Sequence, residues 1–236
     1  MAKLRALLLP GINGESIFYN ALIKRLSSFA ECTGAALPKE GAQDYSVLIE
    51  WLADSYSPAE FDVVIAESFS GPLSVLAIAN RTLRPRALVL GATFNSSPFR
   101  RFPVRPFAML ASTAGANSVL TKMYIQHILL NAPDGPSVDE VWTNTAALDP
   151  KLIQKRIEVA THVDVRAEYA GLSLPILVLN GRKDRLIFAM DRGSFAANDN
   201  AEVIWLDAPH FLFQCAADDA ARSIRHFLTD KGLLAA

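Results

Sequence analysis

The chain has 236 residues, of which 51% are hydrophobic and 20% charged, with a formal net charge of −1. This length suits one sizeable core or two small domains. The composition excludes a disordered chain, and the near-neutral balance leaves no electrostatic footprint for nucleic acid. No apolar run approaches the ~20 residues that a membrane-spanning helix needs.

Lys3 to Leu9 reads as a buried strand. Its apolar run, Ala6 to Leu9, is stopped by Pro10-Gly11. It falls short of the ~7–15 residues of a signal h-region. Neither Cys32 nor Cys215 has a CxxC neighbour, so the expectation is a cytoplasmic chain with reduced, packing thiols. Ser16 is a candidate cap for a helix carrying Ile17, Phe18, Leu22, Leu26 and Phe29 at helical spacing. Cys32 to Leu37 reads as a short strand, and Tyr45 to Tyr56 as a second helix.

Phe61 to Asn80 then passes from a β-branched run, Val63-Val64-Ile65, into a helical pattern, Leu73, Val75, Leu76 and Ala79. Six small or polar residues centred on Ser68 separate the two. Arg86 to Gly91 is a fourth strand. Ala92 to Leu174 has no strand signal and holds helical patterns at Val119–Leu130 and Val138–Ala147. Alternation resumes with a strand at Pro175–Asn180, a helix around Ala189–Ala197, a strand at Ala201–Leu206 and a helix from about Phe213 to Thr229.

Strands alternating with helices predict an α/β fold, a parallel sheet of about six strands covered by helices on both faces. Residues 1–91 and 175–236 form its core, and residues 92–174 are a helical lid or cap insertion. Right-handed crossovers bring every strand C-terminus to one edge, where ligands bind.

Four loops at that edge carry chemistry. The strand–turn–helix around Ser68 has the form of a nucleophile elbow, spelled Ala66-Glu67-Ser68-Phe69-Ser70 in place of G-x-S-x-G. A serine in that turn takes a strained, positive-φ conformation, so small residues must flank it. A serine hydroxyl needs a general base. His210, after the sixth strand, is suited to accept its proton. Asp184, after the fifth strand, is suited to orient and charge-compensate the imidazole. The alternative for Asp184 is a helix cap, and Asp207 is a possible stand-in. An oxyanion needs two aimed N–H groups. These are assigned to Phe69 and to Ile12 in the Pro10–Gly14 loop, with Asn13 as a weaker candidate. No HExxH, paired CxxC, G-x-G-x-x-G or Walker loop occurs, so no metal or cofactor is expected.

The segments PGINGES, AESFSGP, PILVLNGRKD and APHFLF together resemble the α/β-hydrolase superfamily. Within it they resemble small esterases of the pimeloyl-carrier-protein methyl ester type. The resemblance spans nearly the whole chain. It implies an α/β-hydrolase fold and the order Ser68, Asp184, His210 of a catalytic triad. This chain has Pro10-Gly11 where His-Gly is frequent, and its sheet is expected to start at the family's third strand, without the usual N-terminal hairpin.

The expected activity is cleavage of carboxylic esters through an acyl-enzyme. A thioesterase, acyltransferase, C–C hydrolase, cofactor-free oxygenase or haloperoxidase on the same fold are alternatives, as is a non-catalytic ligand-binding protein. Asn13, Glu67, Phe94, Met123, Trp142 and Phe211 are the candidate substrate contacts. Glu67 either lines the entrance or pairs with a nearby base. Arg100, Arg101 and Arg105 form a basic run with no acid. They are either a solvated loop or a docking patch for an acidic acyl carrier protein or a coenzyme A phosphate.

Overall fold

The computed structural model describes residues 3–98, 118–132, 135–187 and 193–235. The Arg100–Arg105 run lies outside the described residues, as do residues 188–192 of the helix expected around Ala189–Ala197. What is described of the latter is a short 3₁₀ turn, Gly193–Ala197.

The strands are β1 Leu4–Leu9, β2 Ala30–Gly34, β3 Val63–Glu67, β4 Ala87–Gly91, β5 Ile176–Gly181 and β6 Ala201–Leu206. They form one sheet in the order β2-β1-β3-β4-β5-β6, and every pairing is parallel. The helices are α1 Asn20–Leu26, α2 Tyr45–Ser55, α3 Ser70–Ala79, α4 Ser118–Tyr124, α5 Val138–Ala146, α6 Pro150–His162, α7 Arg166–Ala170, α8 Leu212–Cys215 and α9 Ala217–Asp230. None of the described helices is long and apolar enough to cross a membrane.

Successive strand side chains point to opposite faces of a sheet, and here both faces are covered. Leu7, Leu9, Val64, Ala66, Leu88 and Val178 pack with Leu48 and Leu52 of α2, Leu73 of α3 and Tyr169 of α7. Leu8, Val63, Ile65, Val89, Leu177 and Leu179 pack on the other face with Leu22 and Leu26 of α1 and Ile224, Phe227 and Leu228 of α9. This double burial is why the central strands read as unbroken apolar runs.

Several boundaries differ from those expected. Ser16 caps nothing: the chain after Glu15 makes a 3₁₀ turn, Ser16–Tyr19, before α1. Phe29 has left the helix and lies buried beside β2. β2 begins at Ala30, two residues earlier than expected; it is an edge strand with exposed Glu31, so its apolar signal is weak. The Val119–Leu130 pattern splits into α4 and a widened π turn, Ile125–Leu130. The last helix breaks at Ala216 (φ −133°, ψ 41°), which separates α8 from α9. Among the described residues of 92–174 there is also an isolated antiparallel bridge, Ser96 to Asp164.

Candidate active site

β3 delivers Ser68 to the C-terminal edge of the sheet, and the turn there is strained as expected, with Ser68 at φ 49°. Neighbours hold the strain in place. The Ser68 N–H donates to the Gly91 carbonyl at 3.0 Å, and the Ser68 carbonyl accepts from the Gly71 N–H and the Thr93 hydroxyl. A Cβ on Gly71 would lie 1.9 Å from the Thr93 hydroxyl oxygen, so only glycine fits there. Ala66 and Ser70 are both fully buried. Ser70 does more than fit: its hydroxyl donates to the Pro10 carbonyl, tying the elbow to the loop after β1.

β5 and β6 bring in the other two groups. The Asp184 carboxylate accepts from the Leu186 and Ile187 N–H groups at 2.8 and 2.9 Å through Oδ1. Its Oδ2 lies 3.0 Å from His210 Nδ1. The capping and the histidine-orienting readings of Asp184 therefore describe the two oxygens of one carboxylate. His210 Nε2 lies 3.1 Å from Ser68 Oγ. A carboxylate only accepts, so Nδ1 carries the ring proton and Nε2 is free to accept from the Ser68 hydroxyl. Burial alone would push the Asp184 carboxyl up. The charge and hydrogen bond of His210, with the two backbone donors, outweigh burial and hold it below its ordinary value. Asp207 points away and pairs with Lys183 at 2.9 Å. Gly181 lets the two loops meet, since a Cβ there would be 2.3 Å from the Ala208 carbonyl oxygen.

The backbone N–H groups of Ile12 and Phe69 donate to no acceptor among the described residues. The Phe69 ring stacks on Tyr45 at 5.1 Å, and the Tyr45 hydroxyl donates to the Phe69 carbonyl at 3.0 Å. Because the Ser68 carbonyl is held by Thr93, the Phe69 N–H of the same trans peptide points the opposite way.

A cavity of about 220 Å³ opens over Ser68 and His210. Of the expected contacts, Asn13, Glu67, Phe94 and Phe211 line it, and Met123 and Trp142 do not. Met123 is 52% exposed; α4 turns Thr121 and Tyr124 inward instead. On α5 the cavity-facing residues are Val141, Thr145 and Ala146, while Trp142 packs against the Phe18–Ile125–Leu130 cluster. Helical patterning identified the apolar elements, but the roll of each helix decided which side chain faces in. Leu129, Leu148, Ile153 and Ile157 also line the cavity. No expectation named these four. The spacing of Ile153, Ile157 and Ala160 was the available signal.

Glu67 is buried between the elbow and α8. Its carboxylate accepts from the Gln214 amide at 3.2 Å. Burial pushes this carboxyl up from 4.5 to about 7, against the opposing pull of the His210 charge, the Gln214 amide and the neighbouring Tyr19 hydroxyl. Among the described residues no group of three His, Cys, Asp or Glu side chains is arranged for a metal.

No family model matches the chain, and no curated protein matches it in sequence. Solved structures do match. A hydrolase from Pseudomonas aeruginosa PA01 superimposes with a TM-score of 0.79 at 16% identity, over 96% of this chain and 90% of its own. The enol-lactonase of Burkholderia xenovorans LB400 gives 0.79 at 18% identity, over 97% and 92%. The chain has the α/β-hydrolase fold. A bromoperoxidase from Bacillus anthracis matches equally well, with a TM-score of 0.79 at 14% identity over 97% and 93%. In this α/β-hydrolase fold Ser68 occupies the turn between β3 and α3, with Asp184 after β5 and His210 after β6. At such identities the likeness concerns the fold, and the chemistry has to be argued from the site.

Proposed function

We propose that the chain is a serine hydrolase that cleaves carboxylic esters through an acyl-enzyme. The observation that carries this reading is the hydrogen-bonded series Asp184–His210–Ser68 opening onto an apolar cavity. Ser68 attacks the ester carbonyl as His210 Nε2 takes its proton, and His210 then returns that proton to the leaving alcohol. Asp184 keeps the imidazole in the competent tautomer and stabilises its charged form. The Phe69 and Ile12 N–H groups receive the oxyanion. Water activated by His210 releases the acid by the reverse sequence.

The lining favours a neutral, apolar acyl group. Residues 92–174, which supply Phe94, Tyr124, Leu129, Val141 and Ile157, act as the cap that shapes it. A fluorophosphonate probe tests the chemistry. The wild-type protein is expected to label at one site and Ser68→Ala not at all. A folded wild-type protein that resists the probe would leave a ligand-binding protein as the better reading.

An acyl group delivered on an acidic carrier is the partner this reading favours. Its support is the basic run Arg100, Arg101, Arg105, which follows closely on the cavity-lining Pro98. Reversing Arg100 and Arg101 to glutamate is expected to raise KM for a carrier-bound ester roughly tenfold while sparing a nitrophenyl ester. Equal effects on both substrates remove the carrier from the proposal.

A further inference from the structure

Arg156 is the largest fully buried side chain among the described residues. It leaves α6 on the face that also carries Ile153 and Ala160, two residues of the cavity lining. A buried cation ordinarily meets a carboxylate. This guanidinium meets three neutral acceptors: Nε donates to the Gln43 side-chain oxygen at 2.9 Å, one terminal nitrogen to the Ile12 carbonyl at 2.9 Å and the other to the Pro38 carbonyl at 2.8 Å. The neighbouring acid, Glu15, is paired to Lys39 at 2.8 Å. Burial draws the Arg156 pKa down to about 10, which leaves it charged at neutral pH.

The loop after β1 is shaped around this group. Gly14 has φ +75°, and a Cβ there would lie 2.3 Å from the guanidinium. Each carbonyl from Pro10 to Ile12 is held outside the cavity: Pro10 by Ser70, Gly11 by the Gly14 N–H at 2.9 Å, and Ile12 by Arg156. In a trans peptide the N–H points opposite to the C=O. Holding the Gly11 and Ile12 carbonyls back therefore turns the Ile12 and Asn13 N–H groups the other way. Both residues line the cavity.

We propose that Arg156 is the positioning residue of the oxyanion loop: through it, helix α6 of the inserted segment holds residues 11–14 with the Ile12 and Asn13 N–H groups aimed at the reacting carbonyl. The kinetic part of this inference rests on the hydrolase reading, and the structural part does not. The same guanidinium places a positive charge behind the loop that faces the substrate oxygen on which negative charge develops.

Arg156→Lys keeps the charge and loses the fork. Arg156→Ala vacates the site for free guanidinium. Both are expected to lower kcat for a nitrophenyl ester roughly 10- to 100-fold with KM within about twofold, the signature of an interaction made in the transition state. Guanidinium at tens of millimolar should recover part of the kcat of Arg156→Ala. Gly14→Ala, which drives a methyl into the guanidinium, should reproduce the loss with Arg156 in place, and it carries the test with Arg156→Lys where Arg156→Ala does not fold. Amide exchange of residues 11–14 should quicken in every variant. Unchanged kcat in a folded variant, a loss confined to KM, or unaltered exchange at residues 11–14 would overturn the inference. Should the wild-type protein hydrolyse no ester, the hydrolase reading falls by itself. Exchange at residues 11–14 then decides the positioning role alone, faster exchange supporting it and unchanged exchange refuting it.

Discussion

Replacing His210 by alanine is expected to lower kcat on an activated ester by ~10⁴- to 10⁶-fold, with KM changed only a few-fold. Ser68 Oγ has His210 Nε2 as its base at 3.1 Å, and without that base the hydroxyl must lose its proton to water during attack. Groups that act as a unit are not additive, so Ser68→Ala/His210→Ala should be no slower than either single variant. Asp184→Asn separates orientation from proton transfer. Its Oδ1 retains the Leu186 and Ile187 N–H groups, but the amide NH₂ faces Nδ1, which must then accept. The ring proton moves to Nε2, where it meets Ser68 as a donor, and a loss of ~10⁴-fold follows. The decisive measurement is kcat/KM for His210→Ala, Ser68→Ala, the double variant and Asp184→Asn at one pH with far-UV dichroism as a control. A His210→Ala enzyme within tenfold of wild type would remove His210 from the mechanism.

Glu67→Gln is expected to stabilise the protein at high pH by up to about 3 kcal/mol and to do little at low pH. The sign follows from burial. The carboxyl ordinarily titrates near 4.5 and is raised to about 7 in the fold. Below both values Glu67 is neutral whether the chain is folded or not. Between them the unfolded chain ionises and the folded one does not, so stability falls as pH rises through this window. Above about 7 the loss is complete and constant. Glutamine matches the shape and keeps an acceptor for Gln214 but cannot ionise, so the variant escapes the loss. Urea unfolding of both proteins from pH 4 to pH 8 reads the difference, and a pH-independent gap would refute the assignment. The Gln214 amide oxygen has no hydrogen-bond partner among the described residues. A half-turn of that amide offers the oxygen to a protonated Glu67, so both protonation states can be hydrogen-bonded. The charge acquired near neutrality lies beside His210, where it favours the imidazolium formed during attack.

Much of this was legible in the chain because burial on both faces of a parallel sheet leaves long apolar runs. The runs at Val63-Val64-Ile65 and Pro175–Asn180 could be read directly, and with them the strand ends that carry Ser68 and Asp184. Edge strand β2, half wet and polar on one side, was misplaced by two residues for the same reason in reverse. The elbow spelling looked imperfect in isolation. In three dimensions Ala66 is fully buried, and the Ser70 hydroxyl holds the Pro10 carbonyl.

By itself, then, the sequence determined the layer architecture, the sheet edge that carries the chemistry and the three side chains that meet there, since hydrophobic period and loop position are local properties. Only the tertiary structure decided which way α4 and α5 roll, leaving Met123 and Trp142 outside the cavity, what Glu67 pairs with, and that Arg156 reaches Ile12 across 144 residues of chain. Such contacts depend on side-chain direction and on packing between distant segments, and no periodicity along the chain encodes them.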